Sequence, residues 1–284
     1  MLSGGLRTKG ITKQSQENQP LITVITVVRN GEKTLAETIL SVINQTYTNI
    51  EYIIIDGAST DGTLDIIKKH EDKIAYWISE PDKGIYDAMN KGIDLAMGEW
   101  INFMNSGDGF YLPTTLQDIF GKENSALKAD IIYGDTLLVY DIGSYIQRAK
   151  PLENMLDFFP FGHQASFIKS KLMKEIKYNE TYKSSGDYHF FYNCYLNKCS
   201  FVHIDVIVAV YNAQYGMSLN YKLVRLEDAR IHGIEKTFRW NIKFSIDYTV
   251  YLIKSWLKGI LPKNLVKKIR KRNMEKVITE RSYE

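Results

Sequence analysis

Residues 20–63 read PLITVITVVRNGEKTLAETILSVINQTYTNIEYIIIDGASTDGT, and the change of hydrophobic period along them decides the fold. Residues 21–28 form a β-branched run of the kind a strand covered on both faces requires. The period then switches: Leu35, Ile39, Val42 and Ile43 recur at helical spacing, which predicts a helix with one buried face. Tyr52 to Ile55 returns to a buried strand. Strand, helix and strand in this order is the unit from which a parallel sheet is built.

Working outward, Ser59, Thr60 or Asp61 can cap a second helix whose buried face is Leu64, Ile66 and Ile67. AYWIS at 75–79 is a third strand, and residues 84–98 place Ile85, Ala88, Met89, Ile93 and Ala96 on one face of a third helix. WINFM at 100–104 is a fourth strand, and Asn105, Ser106, Gly107 and Asp108 follow it. Four strands alternating with three helices predict an α/β fold with a parallel, doubly wound sheet, in which ligands sit at the carboxyl ends of the strands. The rhythm then changes. ADIIYGD at 129–135 is a short strand, 137–148 a hairpin around Ile142 and Gly143, and 163–168 a further strand. Residues 187–198 make a helix and 201–211 a long strand.

A chain of 284 residues with 44% hydrophobic composition can bury a full core as one large domain. Residues 1–19 are polar, lack the apolar centre of a signal peptide, and read as a flexible arm. Residues 20–235 form the globular domain, with a nucleotide-binding half at 20–111 and an acceptor half at 112–235. Two cysteines, Cys194 and Cys199, are too few for a disulfide framework and suit a reducing cytoplasm. The net charge of +3 is unevenly spread, because Lys236 to Lys276 carries twelve Lys or Arg against Asp247 and Glu275. The tail, 236–284, is therefore basic and the body acidic. Trp240, Tyr248, Tyr251, Leu252, Ile253, Trp256 and Leu257 interleave with those cations, which favours an anionic membrane surface over nucleic acid. No apolar run in the tail reaches spanning length.

Neither the glycine fingerprint of dinucleotide enzymes nor the lysine-bearing phosphate loop of NTPases occurs, which argues against dehydrogenase and ATPase activities. Polar loops follow the strands instead: RNGE at 29–32, DGASTDGT at 56–63, SEPDKG at 79–84 and NSGD at 105–108. All four open on one edge of the predicted sheet.

These motifs, with SEPDKGIYDAMNKGI at 79–93 and WINFMNSGD at 100–108, resemble glycosyltransferase family 2. The match is close over 20–111 and looser to Tyr211, and is most similar to bacterial enzymes of exopolysaccharide, O-antigen and colanic acid type assembly. The resemblance implies the GT-A fold: a Rossmann-like, mostly parallel sheet with helices on both faces. It also implies inverting transfer of a hexosyl or N-acetylhexosaminyl group from a UDP-sugar to a lipid-linked saccharide, at the inner face of the cell membrane. By that resemblance Asp56 accepts the ring N–H of uracil, and Asn30, Ser59 and Asp61 line the nucleoside pocket. Lys83 meets the donor diphosphate, and Asn90 and Asn105 face the nucleotide. Asp108 holds Mn²⁺ or Mg²⁺, and Asp187 in SSGDYHFF takes the proton from the acceptor hydroxyl. His163 and Gln164 in FGHQASF face the sugar or acceptor, whereas His189, His203 and His232 read as structural. The pattern is broken in four places. Arg29 stands where an aromatic residue is usual, and its guanidinium can stack on the base. Ala58 replaces a glycine, Asn105 and Gly107 occupy carboxylate positions, and Gly186 precedes Asp187 where an acid is common. Two alternatives share the fold. A sugar-nucleotide nucleotidyltransferase needs a glycine-rich basic loop that VVRNGEKT does not supply. A non-catalytic membrane-bound binder fits the sparse carboxylates of NSGD but not the retained Asp108 and Asp187.

Overall fold

The computed structural model describes residues 1–122, 125–214 and 219–281. Its sheet begins at one edge with β1 (Leu2–Gly4), which runs antiparallel to β4 (Tyr76–Ser79). Inward follow β3 (Ile50–Asp56), β2 (Ile22–Val28) and β5 (Trp100–Phe103), all parallel to β4. The connecting helices are α1 (Leu35–Ile43), α2 (Thr63–Lys69) and α3 (Ile85–Leu95). Alternation along β2 separates two cores. Ile22, Val24 and Val28 pack with Leu35, Ile39 and Ile67 on one face, and Ile25 and Val27 pack with Met89 and Ile93 on the other. The parallel half is thus covered on both sides, as its unbroken apolar strands require.

Past β5 the sheet reverses. Residues 166–169, strand β9 (Ser166–Lys169), lie antiparallel between β5 and β7 (Ile131–Tyr140). Beyond β7 lies the parallel β10 (Phe201–Asn212), edged by β6 (Gly109–Phe110), while β8 (Gly143–Gln147) folds onto β7 as a hairpin. Because β9 runs backwards, the residues just before it stand at the same edge as those just after β5. Strand β7 is longer than the ADIIYGD segment suggests, since 136–139 pairs with both β8 and β10 and Tyr140 with β8. Helices α4 (Thr115–Phe120), α5 (Ser170–Ile176), α6 (Gly186–Leu196) and α7 (Tyr221–Ile231) complete the domain.

The arm at 1–19, read from its composition as flexible, makes specific contacts with the body. Besides β1, Leu6 N–H donates to Ile74 O at 3.0 Å, and Arg7 donates to Leu95 O at 2.8 Å and pairs with Glu51. The cause lies in β3: Glu51 is buried, accepting from Thr23 Oγ1 at 2.6 Å and Met97 N–H at 2.7 Å, and the Arg7 guanidinium offsets the cost of burying its charge. Arg7→Ala is expected to lower the unfolding free energy by about 3–5 kcal/mol in urea titration; an unchanged midpoint would place the arm outside the cooperative fold.

The tail forms α8 (Phe238–Ile260) and α9 (Lys263–Arg281). Aromatic rings on one side of α8 stack toward α7, with Tyr221 and Tyr251 centroids 4.6 Å apart and Trp240 and Phe244 4.8 Å apart. Its other side is open, with Phe238 81% and Trp256 68% exposed. Arg270 of α9 pairs with Asp141 in the β7–β8 turn at 3.0 Å. Among the described residues no helix is long and apolar enough to cross a membrane.

Candidate active site

A cavity of about 580 Å³ opens at the carboxyl edge of the parallel strands. Arg29 and Asn30 reach it from the end of β2, Asn105 and Asp108 from the loop after β5, His163 and Gln164 from the turn before β9, and Asp187 from the start of α6. Seven of the residues singled out in the sequence thus line one cavity. The reversed β9 is the reason: it brings 163–164 beside 105–108 although some sixty positions separate them.

The loop after β5 is shaped by its backbone. Gly107 adopts φ +102°, a conformation open to glycine and strained for other residues. A Cβ there would have room, with Thr34 nearest at 3.8 Å, so conformation and not crowding accounts for the glycine. Asp108 is buried, and Gln164 Nε2 donates to its Oδ2 at 3.1 Å. Burial pushes its carboxyl up to about 7, against the opposing pull of the nearby His163 and of the hydrogen bonds from Gln164 and the Asn212 backbone. On the same loop Asn105 Oδ1 is buried with no partner, while its Nδ2 lies 3.2 Å from His163 Nε2. A buried carboxylate and an unpartnered amide oxygen are both oxygen donors of the kind a hard divalent cation takes, so these residues fit one. Among the described residues no group of three or more His, Cys, Asp or Glu side chains could form a complete cage. Substrate and water oxygens would have to fill the remaining positions.

Asp187 Oδ2 lies 3.0 Å from His163 Nδ1. Burial pulls the His163 imidazole down, but its bond to Asp187 and the charges of Asp187 and Asp108 outweigh this and hold it above its ordinary value. Tyr86 fixes the other side. Its hydroxyl accepts from Gly186 N–H at 2.8 Å and Asp187 N–H at 3.3 Å, and shares its proton between Ser184 O at 2.8 Å and Asp187 Oδ1 at 3.2 Å. Upstream, the buried Glu227 of α7 accepts three backbone N–H groups, from Lys183, Ser184 and Ser185, at 2.7–2.8 Å. The loop carrying Asp187 is therefore held by groups from α3 and α7 that the sequence reading did not single out. Lys183 also lines the cavity.

Five expected site residues lie elsewhere. Asp56 is fully buried, with Oδ2 accepting from Ser79 Oγ at 2.6 Å and Ser59 N–H at 3.1 Å and Oδ1 taken by Ser59 Oγ. Ser59 Oγ in turn accepts from Asn30 N–H at 2.7 Å, and Asp61 Oδ2 from Glu32 N–H at 3.1 Å. Asp56, Ser59 and Asp61 thus build the loop that presents Arg29 and Asn30, and they are not among the residues that line this cavity. Asn90 is turned away as well. It bonds Tyr178 through both amide atoms at 2.9 Å, tying α3 to the segment before α6, because a buried amide must satisfy donor and acceptor together. Lys83 is exposed in the turn before α3, its backbone N–H donating to Asp87 at 2.9 Å, and its side chain is not part of the cavity wall.

Residues 23–194 match glycosyl transferase family 2. A PGL/p-HBAD biosynthesis glycosyltransferase of Mycobacterium bovis is 30% identical over 204 residues, covering 70% of this chain and 79% of that protein. S. aureus TarS (1-349), solved with UDP-GlcNAc, has a similar fold at 22% identity and a TM-score of 0.59, covering 72% of this chain and 64% of its own. A mannosyltransferase from Pyrobaculum calidifontis, solved with GDP-Man and Mn²⁺, aligns at 16% identity and a TM-score of 0.54, covering 76% of this chain and 63% of its own. This chain spans less than two thirds of either solved chain. With the doubly wound half, the reversed β9 and the cavity at the strand ends, these likenesses have one meaning: the chain belongs to glycosyl transferase family 2 and is a glycosyltransferase of GT-A fold.

Proposed function

We propose that this enzyme transfers one hexosyl or N-acetylhexosaminyl group, with inversion, from a UDP-sugar to a lipid-linked glycan in surface polysaccharide assembly. The observation that carries the proposal is the convergence of Asp108 and Asp187 on a single cavity from two different elements. The acceptor oxygen attacks the anomeric carbon, the bond to the diphosphate breaks, and Asp187 takes the acceptor proton. His163 and Tyr86 orient that carboxylate, and Arg29 and Lys183 offer positive charge to the diphosphate. Mn²⁺ or Mg²⁺ held at Asp108, with Asn105 Oδ1 beside it, would stabilise the charge that builds on the leaving diphosphate. Phe159, Phe161, Tyr140 and Tyr211 give the far wall flat apolar faces suited to a sugar ring. The UDP-GlcNAc of TarS and the GDP-Man of the mannosyltransferase mark the donors to try first. The test is nucleotide release from a panel of UDP- and GDP-sugars with Mn²⁺ and a membrane lipid extract. Donor binding without release from any of them would favour a non-catalytic binder on the same fold.

The enzyme is placed, in this proposal, on the cytoplasmic face of the membrane, held there by α8 and α9. The open apolar side of α8 and the basic residues of both helices suit an anionic surface, where each cation contributes about 1 kcal/mol. A chain ending at Ile234 is expected to keep donor binding, to leave anionic vesicles on sedimentation, and to lose most activity on a lipid-bound acceptor. Equal sedimentation of the truncated and full chains in low and high salt would remove the tail from this role.

A further inference from the structure

A second cavity, of about 360 Å³, lies where α7 meets α8 and shares no lining residue with the first. Arg225 of α7 and Arg239 and Lys243 of α8 converge on it, with Trp240 as an apolar side and Asp157 and Asp228 as the acidic members. Asp228 is already engaged, accepting from Ser185 Oγ at 2.9 Å. Arg239 and Lys243 form no ion pair among the described residues. Three cations against two carboxylates leave one excess positive charge, which matches the single negative charge of a phosphodiester. Guanidinium groups suit phosphate oxygens because they offer paired, planar donors.

The position of the cavity selects among phosphates. Phe238, Ile242, Ile246, Val250 and Ile253, all exposed, recur at helical spacing along one side of α8, and Arg239 and Lys243 sit at the border of that row. An interfacial helix lies with such a row at the acyl boundary and its cations at headgroup level. We propose that the Arg225–Arg239–Lys243 cavity binds the phosphodiester of an anionic membrane phospholipid, fixing how the domain sits on the bilayer. This rests on the membrane role of the tail proposed above.

The test uses the full chain and sedimentation with vesicles of phosphatidylglycerol in phosphatidylcholine. Arg225 lies on α7, outside the exposed row of α8, so general attraction to the surface gives it no special weight. Arg225→Gln is expected to weaken vesicle binding about tenfold, as loss of a charge-assisted hydrogen bond does. Arg239→Gln, at an exposed position that tolerates substitution, should do the same. Arg230→Gln, also on α7 but outside the cavity, is expected to stay within about twofold of wild type. Equal binding by the Arg225→Gln and Arg230→Gln proteins would overturn the cavity assignment while leaving membrane attachment intact. Failure of the wild-type chain to prefer phosphatidylglycerol over phosphatidylcholine vesicles would overturn both.

Discussion

Asp187→Asn is expected to lower sugar transfer by about two to four orders of magnitude, the usual contribution of a positioned base, with donor affinity close to wild type. The amide keeps the size of the side chain and can still meet Tyr86 and His163, so the loop held by Glu227 stays in place. What disappears is the anionic oxygen that receives the proton. Single-turnover transfer at saturating donor measures the loss directly, and donor titration monitored by melting temperature shows that the fold survives, since a bound ligand stabilises the native state by mass action. Near-normal turnover would transfer the base role to another group. His163 stands next in line, because its Nδ1 is only 3.0 Å from Asp187 and its ring faces the same cavity.

Asp108→Ala is expected to abolish the Mn²⁺-dependent part of UDP affinity and to reduce transfer by about two to three orders of magnitude, the scale seen when one electrostatic contact to a developing charge is removed. Its effect on the empty protein has the opposite character. Burial works against the charged form of this carboxyl, so removing it takes away an unfavourable burial, against the loss of an acceptor for Gln164 Nε2 and the Asn212 N–H. The melting temperature of the ligand-free protein should therefore hold or rise, while the rise on adding UDP and Mn²⁺ vanishes. Calorimetric titration of UDP with and without Mn²⁺ separates the two effects. Unchanged UDP affinity in Mn²⁺ would take Asp108 out of the metal site.

Both variants act on a site whose supports come from far along the chain. Tyr86 reaches Asp187 across 101 positions, and Glu227 holds Lys183 across 44. Since α7 runs on toward α8 and also supplies Glu227, the element that orders the Asp187 loop is continuous with the tail proposed to meet the membrane.

The sequence by itself determined the parallel half of the sheet, its order of strands and helices, and the loops that open at its carboxyl edge. It could do so because those features depend on local period: β-branched runs at 21–28 and 52–55 and the helical recurrence of Leu35, Ile39 and Val42 each state their own burial. Asp108, Asp187, His163 and Gln164 were singled out through the family resemblance and not through period, and the structure brings all four to one cavity. Tertiary structure alone decided which polar groups within those loops remain available. Asp56 and Asn90 carry the chemistry a ligand would want, yet once the chain has folded Asp56 bonds Ser59 and Ser79 and Asn90 bonds Tyr178. The arm was decided in the same way: its polar composition describes a solvated segment, but Glu51, buried by the strand pattern, makes Arg7 its counter-ion across 44 positions. Burial follows from the local pattern of apolar residues, whereas the partner that satisfies a buried charge or amide is set by where distant segments meet, and a linear reading does not contain that distance.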